Sequence, residues 1–274
     1  MRSTRKITSA MKMVAAAKLH RTQRAIGALV PYSDELQKIT SHLVSGEEKN
    51  PPALATPRPI AKVVLVGFAS NGTLCGAYNG NVVRRIVRVA KEWEKEGGNV
   101  DIIAVGEQLA KGLHREGFEC EEGHDILADK PTYEVACEMA QRLMKEYLDG
   151  VVDRVEIVYH KFLSAGTQKL VCEQLLPIEL ERSEGGDNLP TEYILEPDRE
   201  RLIAEIIPRQ ISLKLYSAAL SASASEHAAR MIAMQVATDN ADKLIGELAL
   251  EYNKQRQQAI TTELLDIMGG QNEQ

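Results

Sequence analysis

The chain has 274 residues, 44% apolar and 26% charged, an ordinary balance for a soluble protein and enough for one large or two modest domains. A net charge of −6 gives no global field suited to nucleic acid or a membrane surface. No apolar run approaches the ~20 residues of a membrane span, and the four cysteines show neither the CxxC spacing of a zinc site nor a disulfide framework, which fits a reducing cytosol.

Aromatic residues make up only 4% of the chain, so its contacts are built from Ala, Val, Ile, Leu and Met, a composition suited to close helix pairing. Residues 1–46 read as one helix. Leu19, Ile26, Leu29, Tyr32, Leu36, Ile39 and Leu43 recur at steps of three and four. Ile7, Met11 and Val14 carry a similar stripe at a shifted phase, the mark of a stutter. Gly27 and Pro31 are candidate bend points. Residues 1–24 hold seven basic side chains and no acidic one. That run is either a solvated helix face or a surface for acidic partners. It is basic and acid-free, as transit peptides are, but the helical pattern continues past it. The proline-rich "SGEEKNPPALATPRP" closes this zone.

Residues 60–200 alternate strand and helix. "AKVVLVGFAS" is a near-continuous apolar run of the buried-strand kind. "NVVRRIVRVAKEWEKE" has helical period and stops at Gly97-Gly98. "VDIIAVG" is the next strand, "EQLAKGLHREG" and "TYEVACEMAQRLMKEYLDG" the next helices. "RVEIVYHKF" and "QKLVCEQLLPIEL" read as strands paired through "LSAGT". Such alternation implies an α/β domain with a mainly parallel sheet.

Residues 205–270 read as a second long helix, with no proline after Pro208 and only Gly246 before Gly269. Residues 209–268 alone would span about 90 Å, longer than a compact domain of this size. A lone projecting helix is marginal, so the two terminal helices are expected to wind together as an antiparallel coiled coil. Ala218, Ala222, Ala229 and Ile232, with Ala219, Ala224, Ala228 and Ala233, offer small side chains to that pairing, and Ala10, Met11, Ala15, Ala16 and Ala17 answer from the other helix. Near Val236 and Ala237 the phase slips again, and Asp239, Asn240 and Asp242 are expected to mark polar surroundings there.

Motifs of chemistry are sparse. "ASNGTLCGAYNGN", residues 69–81, is a glycine-bearing strand-to-helix turn. It admits phosphate binding at the helix N-terminus or a purely structural role in which Asn71-Gly72 turns the chain and Gly76 permits close helix–sheet packing. It has neither the GxGxxG nor the P-loop pattern, and Cys75 reads as a buried small hydrophobe. The six histidines lack ligand spacing; His124 and Asp125 beside Glu121 and Glu122 are a solvated loop or a weak metal site. No Ser-His-Asp set or carboxylate pair stands out. Arg256 and Gln257 in "YNKQRQQAITTELL" are ordinary surface residues or hydrogen-bonding contacts to a surrounding protein.

The two ends nevertheless carry long, specific stretches. "SEHAARMIAMQVATDNADKLIGELALEYNKQRQQAITTELLDIMGG" resembles the C-terminal signature of the ATP synthase gamma subunit family, "RKITSAMKMVAAAK" its N-terminal signature and "LCGAYN" its central motif. The resemblance implies an antiparallel coiled coil of the N- and C-terminal helices (1–46 and 205–270) plus a central Rossmann-like α/β domain (60–200). It implies a non-catalytic rotor shaft coupling proton flow to ATP synthesis or hydrolysis on beta subunits. The implied partners are alpha, beta and epsilon subunits and the c-subunit ring, peripheral on the cytoplasmic face of a bacterial inner membrane, with no catalytic residue, cofactor, metal or nucleic acid. Met11 and Lys12 resemble the position that meets an acidic beta-subunit loop. Arg256 and Gln257 resemble the catch residues near the upper bearing, and Tyr193 and Glu196 in "YILEPD" the foot facing the c ring. "ELLDIMGG" resembles the shaft tip in its apolar sleeve. Two departures stand out. The family normally has more helix before the position of Met1, and "SNGTLCG" stands where an Asp-Arg or Asp-Lys pair is usual. The rivals are a nucleotide-binding α/β enzyme with helical extensions and a basic-arm nucleic-acid binder, the latter disfavoured by the lack of interleaved aromatics.

Overall fold

The computed structural model describes residues 1–44, 52–179, 195, 196 and 198–270. Helix α1 (Arg2–Val44) leads through a single 3-10 turn (Ala53–Ala55) into strand β1 (Lys62–Phe68). Helix α2 (Tyr78–Lys95), strand β2 (Asn99–Val105) and helices α3 (Glu107–Arg115), α4 (Asp125–Asp129) and α5 (Tyr133–Leu148) follow. The hairpin of β3 (Arg154–Ser164) and β4 (Thr167–Leu176) precedes the last helix, α6 (Arg199–Gly270).

The strands form one four-stranded sheet in the order β2-β1-β3-β4. β1 pairs in parallel with both β2 and β3, and β4 returns antiparallel on β3. β1 shows why "KVVLVGF" is apolar throughout. Its alternate residues enter opposite cores: Val63 and Leu65 join α2 and α3, while Val64, Val66 and Phe68 join α5 and α6. Glycine is needed where α2 and α3 close on the sheet. A Cβ on Gly67 would lie 2.1 Å from the Ile86 side chain and 2.7 Å from that of Leu109. The close-packing role expected of Gly76 therefore belongs to Gly67. Gly76 has open space around its Cα and serves through its positive φ of 64°.

α6 runs for 72 residues, about 110 Å at the helical rise. It begins at Arg199, six residues before the expected 205, and passes through Pro208. Asp198 explains the early start: its Oδ1 accepts the Arg201 N–H at 2.9 Å, an N-cap that fixes the first turn. Pro208 removes one backbone bond in the second turn-and-a-half, where Ala204 is exposed and its carbonyl can be hydrated.

The first half of α6 packs on the sheet and meets α1 from its first residue, and their cross-links continue as far as Asp242. Ile203, Ile207, Ile211, Leu215, Ala218, Ala219 and Ala222 are buried in the same core as α5 and β3. Ala218, Ala219 and Ala222 are buried in this core, which Leu43 of α1 also joins, while Ala224 and Ala228 pack on Leu19 of α1. Among the described residues no helix is long and apolar enough to cross a membrane.

Candidate functional site

The surface with most to offer a partner is the α1–α6 pair, and its cross-links fix the geometry. Arg199 donates to the Leu43 carbonyl at one end, with Nε at 2.5 Å. Leu19 packs against Ala224 and Ala228, with Ile26 and Met231 beside them. Lys12 Nζ donates to Gln235 Oε1 at 2.7 Å, the Thr8 and Thr238 hydroxyls bond at 2.8 Å, and Arg5 Nε meets Asp242 Oδ1 at 2.7 Å. Rising numbers on α6 meet falling numbers on α1, so the helices are antiparallel. Small apolar side chains join them near the sheet and polar pairs join them farther out.

This pattern accounts for the polar stretch in α6. Thr238 and Asp242 face α1, and Asp239 accepts from Gln235 Nε2 at 2.7 Å on its own helix. The polar surroundings expected there are supplied in part by α1 itself. The last cross-link between the helices among the described residues is that of Arg5 to Asp242. Beyond it Leu248 is 53% exposed, Leu250 73%, Tyr252 66% and Leu265 64%, so this stretch displays large apolar chains to solvent.

At the neck, where the pair leaves the sheet, several buried polar groups bond to the backbone. Ser225 Oγ donates to the His160 carbonyl at 2.9 Å, the Phe162 N–H donates to Ser221 Oγ at 2.7 Å, and the Tyr78 hydroxyl donates to the Ala222 carbonyl at 2.9 Å. Glu226 is buried between His227 and Arg230, whose Nε donates to Glu226 Oε1 at 2.7 Å. Burial alone would raise the Glu226 pKa, but His227 and Arg230 outweigh it and hold the carboxyl below its ordinary value. Arg230 also donates to the Thr73 carbonyl, tying α6 to the turn after β1. His160 stacks on Tyr78 with ring centroids 4.4 Å apart, and burial lowers its pKa to about 4. A cavity of about 400 Å³ opens beside this neck, walled by Met11, Lys18, Asn71, Asp129 and Arg230.

The turn at 69–81 is closed by its own side chains. Asn79 Oδ1 accepts from the Ser70 N–H at 3.1 Å, Ser70 Oγ donates to the Gly72 carbonyl at 2.6 Å, and Asn71 Oδ1 accepts the Glu107 N–H at 3.2 Å. Leu74 adopts a positive φ of 68°. These contacts favour the structural role of the turn over a phosphate cradle.

The sequence-expected contact residues fall in three places. Met11 and Lys12 are half-buried against α6, with Lys12 engaged by Gln235. Arg256 and Gln257 are exposed on the far stretch of α6. Glu196 is exposed just before α6, and Tyr193 lies outside the described residues. The set His124, Asp125, Glu121 and Glu122 does not converge. Glu121 pairs with His124 at 2.9 Å and Arg142 at 2.5 Å, whereas Asp125 opens α4 and Glu122 turns to His114 at 2.6 Å. The donor atoms of His114, Cys120 and Glu122 lie within 4.8 Å of one another. Sequence reasoning missed this group, whose only signal is the same-side spacing of 120 and 122 in an extended segment.

A family model described as ATP synthase matches residues 1–272. The chain is 47% identical to the ATP synthase gamma chain of Bacteroides thetaiotaomicron, covering 98% of this chain and 94% of that one. It is 46% identical to the gamma chain of Bacteroides fragilis, with the same 98% and 94% coverage. The gamma chain of Flavobacterium johnsoniae is 40% identical over 98% of this chain and 93% of its own. Among solved structures, the rotor of the Euglena gracilis mitochondrial ATP synthase superposes with a TM-score of 0.62 at 20% identity, covering 94% of each chain. The central stalk and c-ring structure from Tetrahymena thermophila gives 0.59 at 22% identity, covering 85% of this chain and 99% of that one. These structural likenesses bear on the fold.

Proposed function

The chain belongs to the ATP synthase gamma chain family, and from that premise we propose that it is the rotating central shaft of a proton-translocating ATP synthase. It carries no catalytic residue or cofactor in this reading. Its rotation drives the beta-subunit sites through their conformations, and the alpha and beta subunits surround the far stretch of α6. The sheet domain sits at the base, beside an epsilon subunit and the c ring, on the cytoplasmic face of a bacterial inner membrane. The chain divides accordingly into a first shaft helix that includes α1 (Arg2–Val44), a central domain and a second shaft helix, α6 (Arg199–Gly270).

One observation carries this reading. α6 extends past Asp242, its last cross-link to α1, for roughly 40 Å, and that stretch shows its leucines to solvent. A row of exposed apolar side chains marks an interaction surface. A sleeve of surrounding subunits supplies the missing cover. Arg256 and Gln257 stand on this stretch with free hydrogen-bonding ends suited to a catch on a beta subunit. Glu196 is suited to the foot, together with Tyr193. Met11 and Lys12 are suited to a beta-subunit loop, although Lys12 must first release Gln235.

Co-expression with alpha and beta subunits tests the reading. A stable complex with ATPase activity is expected, and Arg256→Ala should lower turnover while leaving the fold of this chain intact. Failure to co-purify, or micromolar ATP binding by the chain alone, would favour the nucleotide-binding enzyme instead.

A further inference from the structure

We infer that His114, Cys120 and Glu122 form a binding site for a divalent metal ion of the zinc class. The backbone builds the site. α3 ends at Arg115, and its last turn closes through Gly117, whose φ is 81°, with the Gly117 N–H on the His114 carbonyl at 3.1 Å and the Phe118 N–H on the Leu113 carbonyl at 3.0 Å. The chain then runs back along β2. The Glu121 N–H donates to the Ile102 carbonyl at 2.8 Å, and the Ala104 N–H donates to the Glu121 carbonyl at 2.8 Å.

This added parallel bridge holds residue 121 in extended conformation. Alternation along an extended segment puts Cys120 and Glu122 on one side and Glu121 on the other. The contacts agree: Glu121 is held by Arg142 and His124, while Glu122 meets His114 at 2.6 Å. The backbone on both flanks of the site is thereby held by hydrogen bonds.

The donor set selects the ion. A thiolate, an imidazole and a carboxylate are the three ligand types of zinc, and three protein ligands leave a fourth position for solvent. Bonds of about 2.0–2.3 Å place tetrahedral ligand atoms roughly 3.5 Å apart. The three donors already lie within 4.8 Å of one another, so the His114–Glu122 contact opens slightly and the Cys120 sulfur closes in. The thiolate disfavours magnesium and calcium. His114 and Glu122 are exposed and Cys120 half-buried, which gives the ion a path of entry. On binding, the Cys120 thiol proton passes to solvent, and the ion clamps the end of α3 to the edge of the sheet. This site involves none of the residues of the helix pair and is independent of the rotor reading.

Cobalt(II) titration of the reduced full-length chain tests it. One equivalent should give visible absorption of tetrahedral intensity and a thiolate-to-cobalt charge-transfer band, both displaced by zinc. Cys120→Ser should abolish the charge-transfer band, and His114→Ala or Glu122→Ala should weaken binding by about tenfold or more. Both substitutions lie at exposed positions and leave the fold intact. Cys137→Ser should change nothing. Absence of the band, its survival in Cys120→Ser, or its loss in Cys137→Ser would overturn the assignment.

Discussion

The two halves of α6 obey different physics although they are one unbroken helix. From Arg199 to Ala228 it is built into the molecule. Ile207, Ile211 and Leu215 are at most 2% exposed, Ser225 bonds the β3 backbone, and Glu226 is neutralised where it is buried. Past Asp242, the last cross-link to α1 among the described residues, its leucines face water. The first half takes its stability from tertiary burial. In the second the large apolar side chains are exposed, so tertiary burial contributes little to it. A single helix therefore serves as anchor at one end and as a surface awaiting cover at the other.

Leucine truncation should break this symmetry most visibly. Leu215→Ala, at a site with 0% exposure, should cost about 2–5 kcal/mol in urea unfolding of the isolated chain. Leu250→Ala, at 73% exposure, should stay within about 0.5 kcal/mol. Equal losses would mean that the far stretch is packed in the free protein.

Acid should separate the halves next. The His160 pKa is lowered to about 4 from its ordinary 6.5, so on acidification the unfolded chain takes up this proton first. Stability should fall as pH drops from about 6.5 toward 4, by up to about 3 kcal/mol. Glu226, with its pKa lowered, adds a further loss at still lower pH, as its carboxylate is protonated below the usual range. His160→Phe should remove the upper part of the decline. Far from this neck, the α6 stretch beyond Asp242 has no such buried group among its described side chains, and its helicity should change little over the same window.

The smallest effect belongs to the boundary between the halves. Arg5 and Asp242 pair at 2.7 Å with side chains 53% and 47% exposed. Arg5→Ala should therefore cost less than about 1 kcal/mol. The difference should fade in about 1 M salt, where the screening length shrinks to a few ångströms. A larger, salt-insensitive loss would show that the coil tip is more tightly built than its exposure implies.

Much of this architecture was legible because its signals are periodic. The double-faced apolar run of β1 and the strand–turn–strand of β3 and β4 could be read residue by residue, and so could the long three-four spacing of α1. What stayed hidden depended on partners distant in sequence. The Asp198 side chain caps α6 six residues before 205, a contact that apolar spacing does not display. Ala218, Ala219 and Ala222 look the same whether they face a helix or a sheet, and only the fold places them in a core shared by the sheet, α5 and the end of α1. Gly67 lies inside a strand pattern, and its need for no side chain appears only when Ile86 and Leu109 arrive from α2 and α3. The site residues divide in the same way. Residue chemistry leaves Arg256 and Gln257 open between surface positions and hydrogen-bonding contacts, and only the resemblance names them as catch residues. His114, Cys120 and Glu122 converge only because residue 121 pairs with β2.

Hydrogen exchange along α6, measured for the free chain and again after assembly with alpha and beta subunits, tests the account most directly. Amides from Ile203 to Ala228 should be slow in both states. Those from Leu244 to Leu265 should exchange rapidly in the free chain and become strongly protected in the complex. Slow exchange over Leu244 to Leu265 in the free monomer, or no gain of protection there on assembly, would contradict it.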